Sequence, residues 1–422
     1  MAHYAQAIVG YLPFRSSACH TYVVCGCQEQ RGTSMTSPQQ LWQAYTSRNF
    51  ISKSQINDMI TDLEISGYKG LRSLRLEGLK RITLIGGRNN AGKTSVLEAI
   101  FTACDWGNPE LLTRHLHWRG VDAFQANAEA WSSAFSEFDL RGKIQIKIKN
   151  SDGGREAFLA QVVEDGKGTL PTSPSVGSAD NVRAPGEPSL RLSYTKSSRP
   201  IFEAVVVVTR GVPPYAFKSS KASDTAPRAH YANARSRTPA PEDALRFGVL
   251  DQNKQTAPVI ESLRIIEPRL VGLSVIPVGP QSLLYADVEG LPRKVPVNLL
   301  GDGVTRLLSL LLQISNLQNG YLLVDEIENG FHHETLPNIW RAIYHAAKVQ
   351  RCQIFATTHS YECLTAYSDC LSDVAPEDYS FVRLDRTRKR GGGTERDSES
   401  ISATQYDAES LRNAIAGQWE VR

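Results

Sequence analysis

The chain has 422 residues, and its 47 basic and 44 acidic side chains give a formal net charge of +3. A chain of this length buries a large core without a disulfide framework, and so small a charge excludes a global field that attracts nucleic acid or membranes. Seven cysteines, an odd number spread unevenly, indicate a reducing, cytoplasmic setting rather than a secreted scaffold.

The N-terminal region shows no clear strand pattern before about Ile60, and Met35 is an alternative start. No apolar run is long enough to span a bilayer, so we expect no membrane contact. One cluster suggests a metal site, and it comprises Cys19, His20, Cys25 and Cys27. Because no second ligand pair follows at zinc-finger spacing, free thiols are the favoured interpretation.

Alternating apolar and polar residues predict half-buried strands over much of the chain. The alternation covers residues 60–65, 71–76, 143–148 and, more loosely, 158–163, and four further segments are strand-like, 190–194, 204–208, 273–276 and 283–286. Segments 166–188 and 218–241 are rich in turn-forming residues and are interpreted as loop excursions. Helices are expected at 259–266 and 408–421, with a basic glycine-rich loop or hairpin tip at 386–393.

The most informative pattern is a phosphate-binding P-loop, formed by Gly87, Arg88, Asn89, Asn90, Ala91, Gly92, Lys93 and Thr94. A short apolar strand at 82–85 precedes it, and a helix from Ser95 onward follows it. The glycines let backbone N–H groups face a phosphate chain, Lys93 reaches the outer phosphates, and the Thr94 hydroxyl can ligate Mg²⁺. We therefore predict ATP or GTP binding with Mg²⁺ here, rather than a structural glycine turn.

A second apolar strand at 321–324 delivers two adjacent carboxylates, Asp325 and Glu326. Such a pair suits phosphoryl transfer, because Asp325 can hold Mg²⁺ through water while Glu326 polarises the attacking water. A third strand at 352–358 ends at His359, a candidate for a hydrogen bond to the γ-phosphate or the lytic water. For His332 and His333 the sequence allows three roles equally, a helix cap, an exposed face or a contact across a subunit interface.

A small-residue turn at Gly301, Asp302 and Gly303 begins a helix buried through Val304, Leu307, Leu308 and Leu311. A helix N-terminus with glycines is a second candidate anion-binding site. The position of this turn just upstream of the acidic strand favours a functional interpretation over a packing turn.

At these motifs the chain resembles ABC-type ATPases of the bacterial AAA family ATPase group, relatives of RecF, the structural-maintenance-of-chromosomes proteins and the OLD nucleases. The matching segments are 87–95, 300–303, 323–330 and 356–360. The resemblance implies an α/β fold, an ABC-type P-loop ATPase head with a mixed sheet, antiparallel β insertions and a helical lobe. It places an extension at 1–59 and an ATPase domain at 60–422. That domain divides into three parts. They are a P-loop half at 60–165, insertions at 166–295, and a half at 296–422 with the acidic strand, His359 and the turn of residues 301–303, called the signature turn below.

The resemblance also implies site roles and partners. ATP is bound by residues 87–95, Ser95 included, and by Gly301, Asp302 and Gly303 of a second copy. Mg²⁺ is held by Thr94 and Asp325, and catalysis uses Glu326 and His359. Composite sites of this kind imply a homo-oligomer, either a dimer of heads or a higher ring.

Two departures from the family pattern stand out. Gly301 and Asp302 occupy the place where a transporter-type signature has Ser, so the contact across the interface can use backbone N–H groups. The glutamine-loop residue is unresolved between Gln125, Gln145 and Gln161. No heptad arms separate the halves, which removes a cohesin-like role, and the sequence after His359 leaves no room for an OLD-type nuclease domain.

The first functional hypothesis is an ATP-driven assembly switch or sensor in antiphage defence, working with a separate nuclease-like effector. This rests on similarity to ATPase subunits of two-gene immune systems, including the PARIS type, whose partner carries a Toprim-like fold. The alternative is a DNA repair or maintenance ATPase that binds DNA as RecF does. A transporter cassette is a third option, which the antiparallel insertions fit poorly.

Overall fold

The computed structural model describes residues 59–108, 110–121, 128–163, 188–208, 215–219, 229–234, 238–372, 376–389 and 398–417. The strands there are β1 Ile60–Tyr68, β2 Leu71–Leu76, β3 Ile82–Gly87, β4 Lys143–Asn150, β5 Arg155–Val163, β6 Ser189–Lys196, β7 Arg199–Val208, β8 Tyr215–Ser219, β9 Ala229–Ala232, β10 Leu270–Val278, β11 Gln281–Val288, β12 Val295–Pro296, β13 Tyr321–Val324, β14 Gln353–Thr357, β15 Tyr379–Lys389 and β16 Ser398–Tyr406. The α-helices are α1 Lys93–Cys104, α2 Arg114–Trp118, α3 Ala128–Ser132, α4 Ala240–Gln252, α5 Ala257–Leu263, α6 Asp302–Ser315, α7 Leu336–Gln350, α8 Tyr361–Ser372 and α9 Ala408–Ala416.

A six-stranded mixed sheet forms the centre of the molecule, with the order β16, β15, β3, β14, β13, β9. All neighbours are parallel except the β15/β16 pair, which is antiparallel. Strands β3, β13 and β14 are buried along their whole lengths, as expected for parallel strands covered on both faces. The carboxyl ends of these three strands meet at one edge, where the polar motifs follow.

A seven-stranded antiparallel sheet, ordered β2, β1, β4, β5, β6, β7, β8, lies over one face of α1. Its strands alternate as half-buried strands do; in β4, for example, Ile144, Ile146 and Ile148 are buried between more exposed lysines. The P-loop helix is therefore enclosed between two sheets, in a core that also receives Phe355 from β14.

The opposite face of the central sheet is covered by a second core built largely from helices. Helix α6 contributes Leu307 and Leu311, and helix α7 contributes Trp340. Neighbouring residues of β14 point to different cores, Ile354 to this one and Phe355 to the other, because strand side chains alternate. The small sheet of β10, β11 and β12 packs beside these helices.

The α/β fold with mixed sheets and several helices confirms the predicted fold class. Three local features differ from the expectations. Segment 218–241, interpreted as an excursion, contains β9, which joins the central sheet beside β13. Helix α4 was not predicted. The basic segment does belong to a hairpin, that of β15 and β16, but its residues 386–389 lie in β15 rather than at the tip. Strand β9 is ordered by β13, a partner distant in sequence that a local pattern does not contain.

Several predictions fall outside the described residues. These are the extension before Met59 with its Cys19 to Cys27 cluster, segment 164–187 and Gln125. The cysteines of the described part, Cys104, Cys352, Cys363 and Cys370, are buried and none is in a disulfide. In that same part, no helix combines the length and apolar character that crossing a membrane requires.

Candidate functional site

The P-loop joins β3 to α1 through three residues with positive φ. Gly87, Asn90 and Gly92 have φ angles of 131°, 62° and 93°. Glycine adopts such angles without the steric penalty of a Cβ atom, and Asn tolerates them better than most residues. Gly92 is the N-cap of α1, and its carbonyl accepts a hydrogen bond from the Val96 N–H at 3.0 Å. The loop therefore ends at a helix N-terminus, the geometry that binds phosphate.

The hairpin of β15 and β16 packs directly against this loop. A Cβ atom at Gly87 would overlap the Leu384 carbonyl oxygen, and one at Gly92 would lie 3.0 Å from Ile401 Cδ1. Arg386 donates a hydrogen bond to the Asn90 carbonyl at 3.4 Å. The hairpin thus forms one wall of the P-loop; its backbone leaves no room for a side chain at Gly87, whereas a side chain at Gly92 would require Ile401 to shift.

We expect Gly87→Ala to lower the free energy of unfolding by about 2–4 kcal/mol, because it adds overpacking to backbone strain. Gly153→Ala is the matched control, since Gly153 also has positive φ but a Cβ atom added there would meet no neighbour within 4 Å. The control should lose only about 1 kcal/mol. Urea unfolding of both variants checks this, and equal losses would contradict the close approach.

Lys93 points its ammonium group back along the P-loop. Its Nζ atom donates to the carbonyl oxygens of Gly87 at 2.6 Å and Arg88 at 3.2 Å. Burial lowers the pKa of Lys93, and three carboxylates oppose that shift, those of Asp325, Glu326 and Glu328. The loop after β13 carries Asp325, Glu326 and Glu328 and is called the acidic loop below. The Lys93 cation therefore lies where the P-loop and the acidic loop meet.

Asp325 links the P-loop helix to β14. Its Oδ1 atom accepts hydrogen bonds from Thr94 Oγ1 at 3.1 Å and from Thr357 Oγ1 at 2.6 Å, and its Oδ2 atom lies 3.2 Å from Thr94 Oγ1. Burial raises the pKa of Asp325, and both hydroxyl groups act in the opposite direction. The structure thus brings together the two residues predicted to hold Mg²⁺.

Glu326 occupies a strained backbone position, with a φ of 48°. Such a left-handed conformation costs a non-glycine residue about 1–2 kcal/mol and is common at functional sites. Its N–H donates to Thr357 Oγ1 at 2.8 Å, and its carbonyl lies 3.4 Å from Arg306 Nη2. Asn329 Nδ2 donates to Oε2 of the side chain at 2.8 Å. One carboxylate oxygen is thereby fixed, and the orientation of the other follows.

His359 lies just beyond β14, opposite the acidic loop. Its ring Nδ1 atom is 3.8 Å from Glu326 Oε1 and 3.2 Å from Glu328 Oε1. The ring is 49% exposed, and the Glu326 side chain is 41% exposed. A base candidate and an imidazole therefore share an open face of the site, accessible to water.

Arg306 is a site residue that the sequence analysis did not single out. Its guanidinium donates to three backbone carbonyls, those of Asn233 at 3.1 Å, Asp325 at 3.1 Å and Glu326 at 3.4 Å. Burial lowers the pKa of Arg306, and the nearby carboxylates act in the opposite direction. Arg306 thus connects α6, which follows the predicted signature turn, to the backbone that carries both acids.

We expect Arg306→Lys to reduce the rate of ATP turnover by about 10–100-fold, because a single ammonium cannot replace a planar guanidinium that spans three carbonyls. Arg412→Lys, at an exposed position of α9, is the control and should leave the rate unchanged. Phosphate release measured under saturating ATP checks both. Full activity in Arg306→Lys would show that these contacts do not position the acids.

The predicted signature turn lies beside the loop that follows β13. Gly301 has a φ of 104°, and a Cβ atom at Gly303 would lie 3.0 Å from the Gly330 carbonyl oxygen. Gly301 and Asp302 are exposed. His332 and His333 stand side by side, with ring centroids 4.4 Å apart, before α7. These residues form a surface next to the acidic loop.

The remaining glutamine-loop candidates that the structure describes lie in the antiparallel sheet. Gln145 is in β4, paired with Ser66, and Gln161 is in β5, paired with Lys143.

Besides Arg306, the sequence analysis did not single out three further site residues, Thr357, Asn329 and Glu328. A polar residue at the buried end of β14 was a usable signal for Thr357, whereas the role of Asn329 depends on the turn geometry.

The donor set fits a magnesium nucleotide. Thr94 and Asp325 supply the oxygen atoms that Mg²⁺ prefers, and Lys93 supplies a cation for phosphate. Within the described ranges, no group of three or more His, Cys, Asp or Glu side chains is arranged to hold a metal ion by itself. Mg²⁺ bound with a nucleotide needs only one or two protein ligands, because phosphate and water complete its shell.

A family model described as "AAA domain, putative AbiEii toxin, Type IV TA system" matches residues 82–364. The matched region begins with β3 and ends within α8. It therefore contains the P-loop, the acidic loop after β13 and His359.

Individual relatives are distant. An ATP/GTP phosphatase of Helicobacter pylori is 19% identical over 331 residues, which cover 72% of this chain and 86% of that protein. The uncharacterized protein MJECL10 of Methanocaldococcus jannaschii is 33% identical over 105 residues, 22% of this chain and 43% of the relative. The alignment thus spans less than half the length of MJECL10.

Two solved structures are similar at low scores. The Smc head bound to the C-winged helix domain of ScpA has a TM-score of 0.44 at 11% identity, covering 84% of this chain and 99% of that one. The SMC head domain from Thermotoga maritima has a TM-score of 0.36 at 10% identity, covering 82% and 99%.

Proposed function

Because this chain belongs to the AAA-domain family whose model matches residues 82–364, we propose that it binds ATP with Mg²⁺ and hydrolyses ATP to ADP and phosphate. One observation carries the proposal: Lys93, Thr94, Asp325, Glu326 and His359 converge at the carboxyl edge of a parallel sheet. That edge is where α/β folds bind their ligands. The name of the Helicobacter pylori relative, an ATP/GTP phosphatase, agrees with this activity.

The residues have separable roles in this proposal. The Gly92 end of α1 and Lys93 bind the phosphate chain, while Thr94 and Asp325 hold Mg²⁺. When bound, Mg²⁺ neutralises phosphate charge. Glu326 accepts a proton from water through its Oε1 atom, since Asn329 holds Oε2. His359, on the same open face, hydrogen-bonds to that water or to the phosphate.

The proposal extends to a pair of chains in which the signature turn of one copy completes the site of the other. It is supported by the exposure of Gly301 and Asp302 and by the contact of Gly303 with Gly330 next to the acidic loop. In a joined pair, the α6 N-terminus offers backbone N–H groups to an anion. Arg306 then connects that helix to the proposed base.

The biological setting we propose is an ATP-dependent assembly switch in antiphage defence, with a separate nuclease-like effector. The family description names a putative AbiEii toxin of a type IV toxin–antitoxin system. The defence role itself rests on the resemblance of the motifs to ATPase subunits of two-gene immune systems. The alternative is a DNA repair or maintenance ATPase, which a formal net charge of +3 neither requires nor favours.

Calorimetry of the full chain with ATP and Mg²⁺ tests the binding step, and phosphate release tests hydrolysis. We expect saturable heat that EDTA weakens, and turnover that requires Mg²⁺. No heat with ATP and Mg²⁺ would refute the proposed function. Copurification of a small effector protein would favour defence, whereas strong, salt-dependent DNA binding with ATP would favour repair.

A further inference from the structure

Glu328 is a buried carboxylate beside the proposed catalytic pair that the proposed reaction leaves without a role. It lies in the loop after β13, and its side chain is only 10% exposed. Among the residues that the structure describes, its Oε2 atom is buried without a hydrogen-bond partner. A half-satisfied buried carboxylate costs stability, because the charge has lost water without gaining a full set of partners. This points to a function for Glu328 beyond folding.

The other oxygen of Glu328 contacts His359 at two points. Glu328 Oε1 accepts a hydrogen bond from the His359 backbone N–H at 2.9 Å and lies 3.2 Å from the ring Nδ1 atom. An ionised carboxylate only accepts hydrogen bonds, so a hydrogen bond across this 3.2 Å distance requires the proton to be on Nδ1. The neutral ring then has its lone pair on Nε2, which is left to accept a hydrogen bond from water.

The same contact separates the imidazole from the proposed base. Nδ1 lies 3.8 Å from Glu326 Oε1, which is beyond hydrogen-bond distance, whereas Glu328 is closer. Asn329 already donates to Glu326 Oε2. If Nδ1–H instead donated to Oε1, each oxygen of Glu326 would accept a hydrogen bond, which would stabilise the ionised carboxylate and make it a weaker base.

Two cations offset part of the cost of this buried charge. The charge of Glu328 acts on Lys93 of the P-loop and on Arg306 of α6, and in both it opposes the lowering of the pKa by burial. Glu328 thus contacts the histidine and interacts electrostatically with the P-loop cation and with the arginine that holds the acidic loop. All three groups belong to the site.

We propose that Glu328 is a positioning residue that fixes His359 in the Nδ1–H form and keeps its ring away from Glu326. The inference rests on the proposed ATPase function, and it deepens that proposal by assigning the second acid of the loop. Glu328 acts through His359 and contacts neither water nor nucleotide in this role.

The tautomer of His359 tests the proposal directly. Histidine-labelled full-length protein has nine histidines, and the His359→Ala spectrum identifies the missing ring signal. We expect ¹⁵N shifts of the Nδ1–H form in the wild type and of the Nε2–H form in Glu328→Ala. An Nε2–H ring in the wild type would overturn the proposal.

Kinetics provide the second readout. We expect Glu328→Ala to lower kcat by about 10–100-fold with little change in the KM for ATP. Losses of this size are typical when a residue that orients a functional histidine is removed. Glu328→Gln retains an accepting oxygen and should recover part of the rate.

A double-mutant cycle separates positioning from general damage. If Glu328 acts through His359, Glu328→Ala should cause no further loss in a His359→Ala background. An equal loss in both backgrounds would overturn the proposal. Glu334→Gln, an exposed acid near His332, is the matched control and should leave kcat and the His359 signal unchanged. Absence of turnover in the wild type would refute the ATPase function alone, since the tautomer is read without turnover.

Discussion

Glu326→Gln should bind ATP with near-normal affinity and hydrolyse it about 10²–10⁴-fold more slowly than the wild type. The amide keeps the size of the side chain and can still contact Asn329, but it cannot take a proton from water. Because Lys93, Thr94 and Asp325 are unchanged, the binding part of the site remains. If ATP joins two copies, the variant should also accumulate as the joined pair, since it cannot hydrolyse the ATP that holds the two copies together.

Three measurements on the same preparation check this result. Calorimetry gives the affinity, phosphate release gives the rate, and sedimentation velocity with ATP gives the assembly state. Glu409→Gln, an exposed acid in the first turn of α9, is the control for losing one carboxylate. Normal hydrolysis by Glu326→Gln would show that Glu326 is not the base, and Glu328 would be the first acid to reconsider.

The strained backbone of Glu326 explains why the variant should keep its shape. Its position with a φ of 48° is maintained by backbone contacts to Thr357 and Arg306 rather than by its own carboxylate. Removing the charge therefore leaves the loop anchored. The same reasoning predicts that substitutions at Thr357 or Arg306 would disturb the acids more broadly than substitution of the base itself.

The parts of the site that the sequence predicted are those carried by short local patterns. The P-loop needs glycines at positions of positive φ, and Gly87 and Gly92 are at two of them. Strand β13 is an unbroken apolar run because both of its faces are covered. The two acids that follow it could therefore be recognised from the sequence as the end of a buried strand. In parallel strands the carboxyl ends share an edge, and the structure brings Asp325 to Thr94 as expected.

The remaining parts depend on contacts between distant segments. Strand β9 is a short run, Ala229–Ala232, in a section rich in turn-forming residues, and it is a strand because it pairs with β13. Arg306 is one charged residue on an amphipathic helix, and only the fold shows that it reaches the carbonyl of Asn233. The hairpin wall of the P-loop likewise depends on Ile401 approaching Gly92. No local period encodes such pairings.

Burial of charge gives the site its electrostatic character. Desolvation raises the pKa of Asp325 and lowers those of Lys93 and Arg306, so each group is less easily charged than it would be in water. The two cations and the acids offset these costs for each other. A substitution that removes one of these charges therefore changes the balance for the others.

Lys93→Ala should abolish measurable ATP binding, with the affinity falling by about 100-fold or more and turnover lost with it. Hydrogen bonds to charged groups contribute about 1.5–3 kcal/mol each, and in the proposed site Lys93 is the cation that binds the outer phosphates. In the structure its ammonium donates to two loop carbonyls, so it is already held at the place where phosphate would bind. Calorimetry with ATP and Mg²⁺ measures the effect.

The controls for Lys93→Ala separate loss of phosphate binding from loss of structure. Lys254→Ala removes an exposed cation between α4 and α5 and should leave ATP binding unchanged. Lys93→Arg keeps the charge but has a planar head that fits the two carbonyls differently, so it should bind ATP more weakly than the wild type and more tightly than Lys93→Ala. Undiminished binding by Lys93→Ala would mean that the nucleotide binds elsewhere, because removing this cation leaves the acids facing a phosphate chain without compensation.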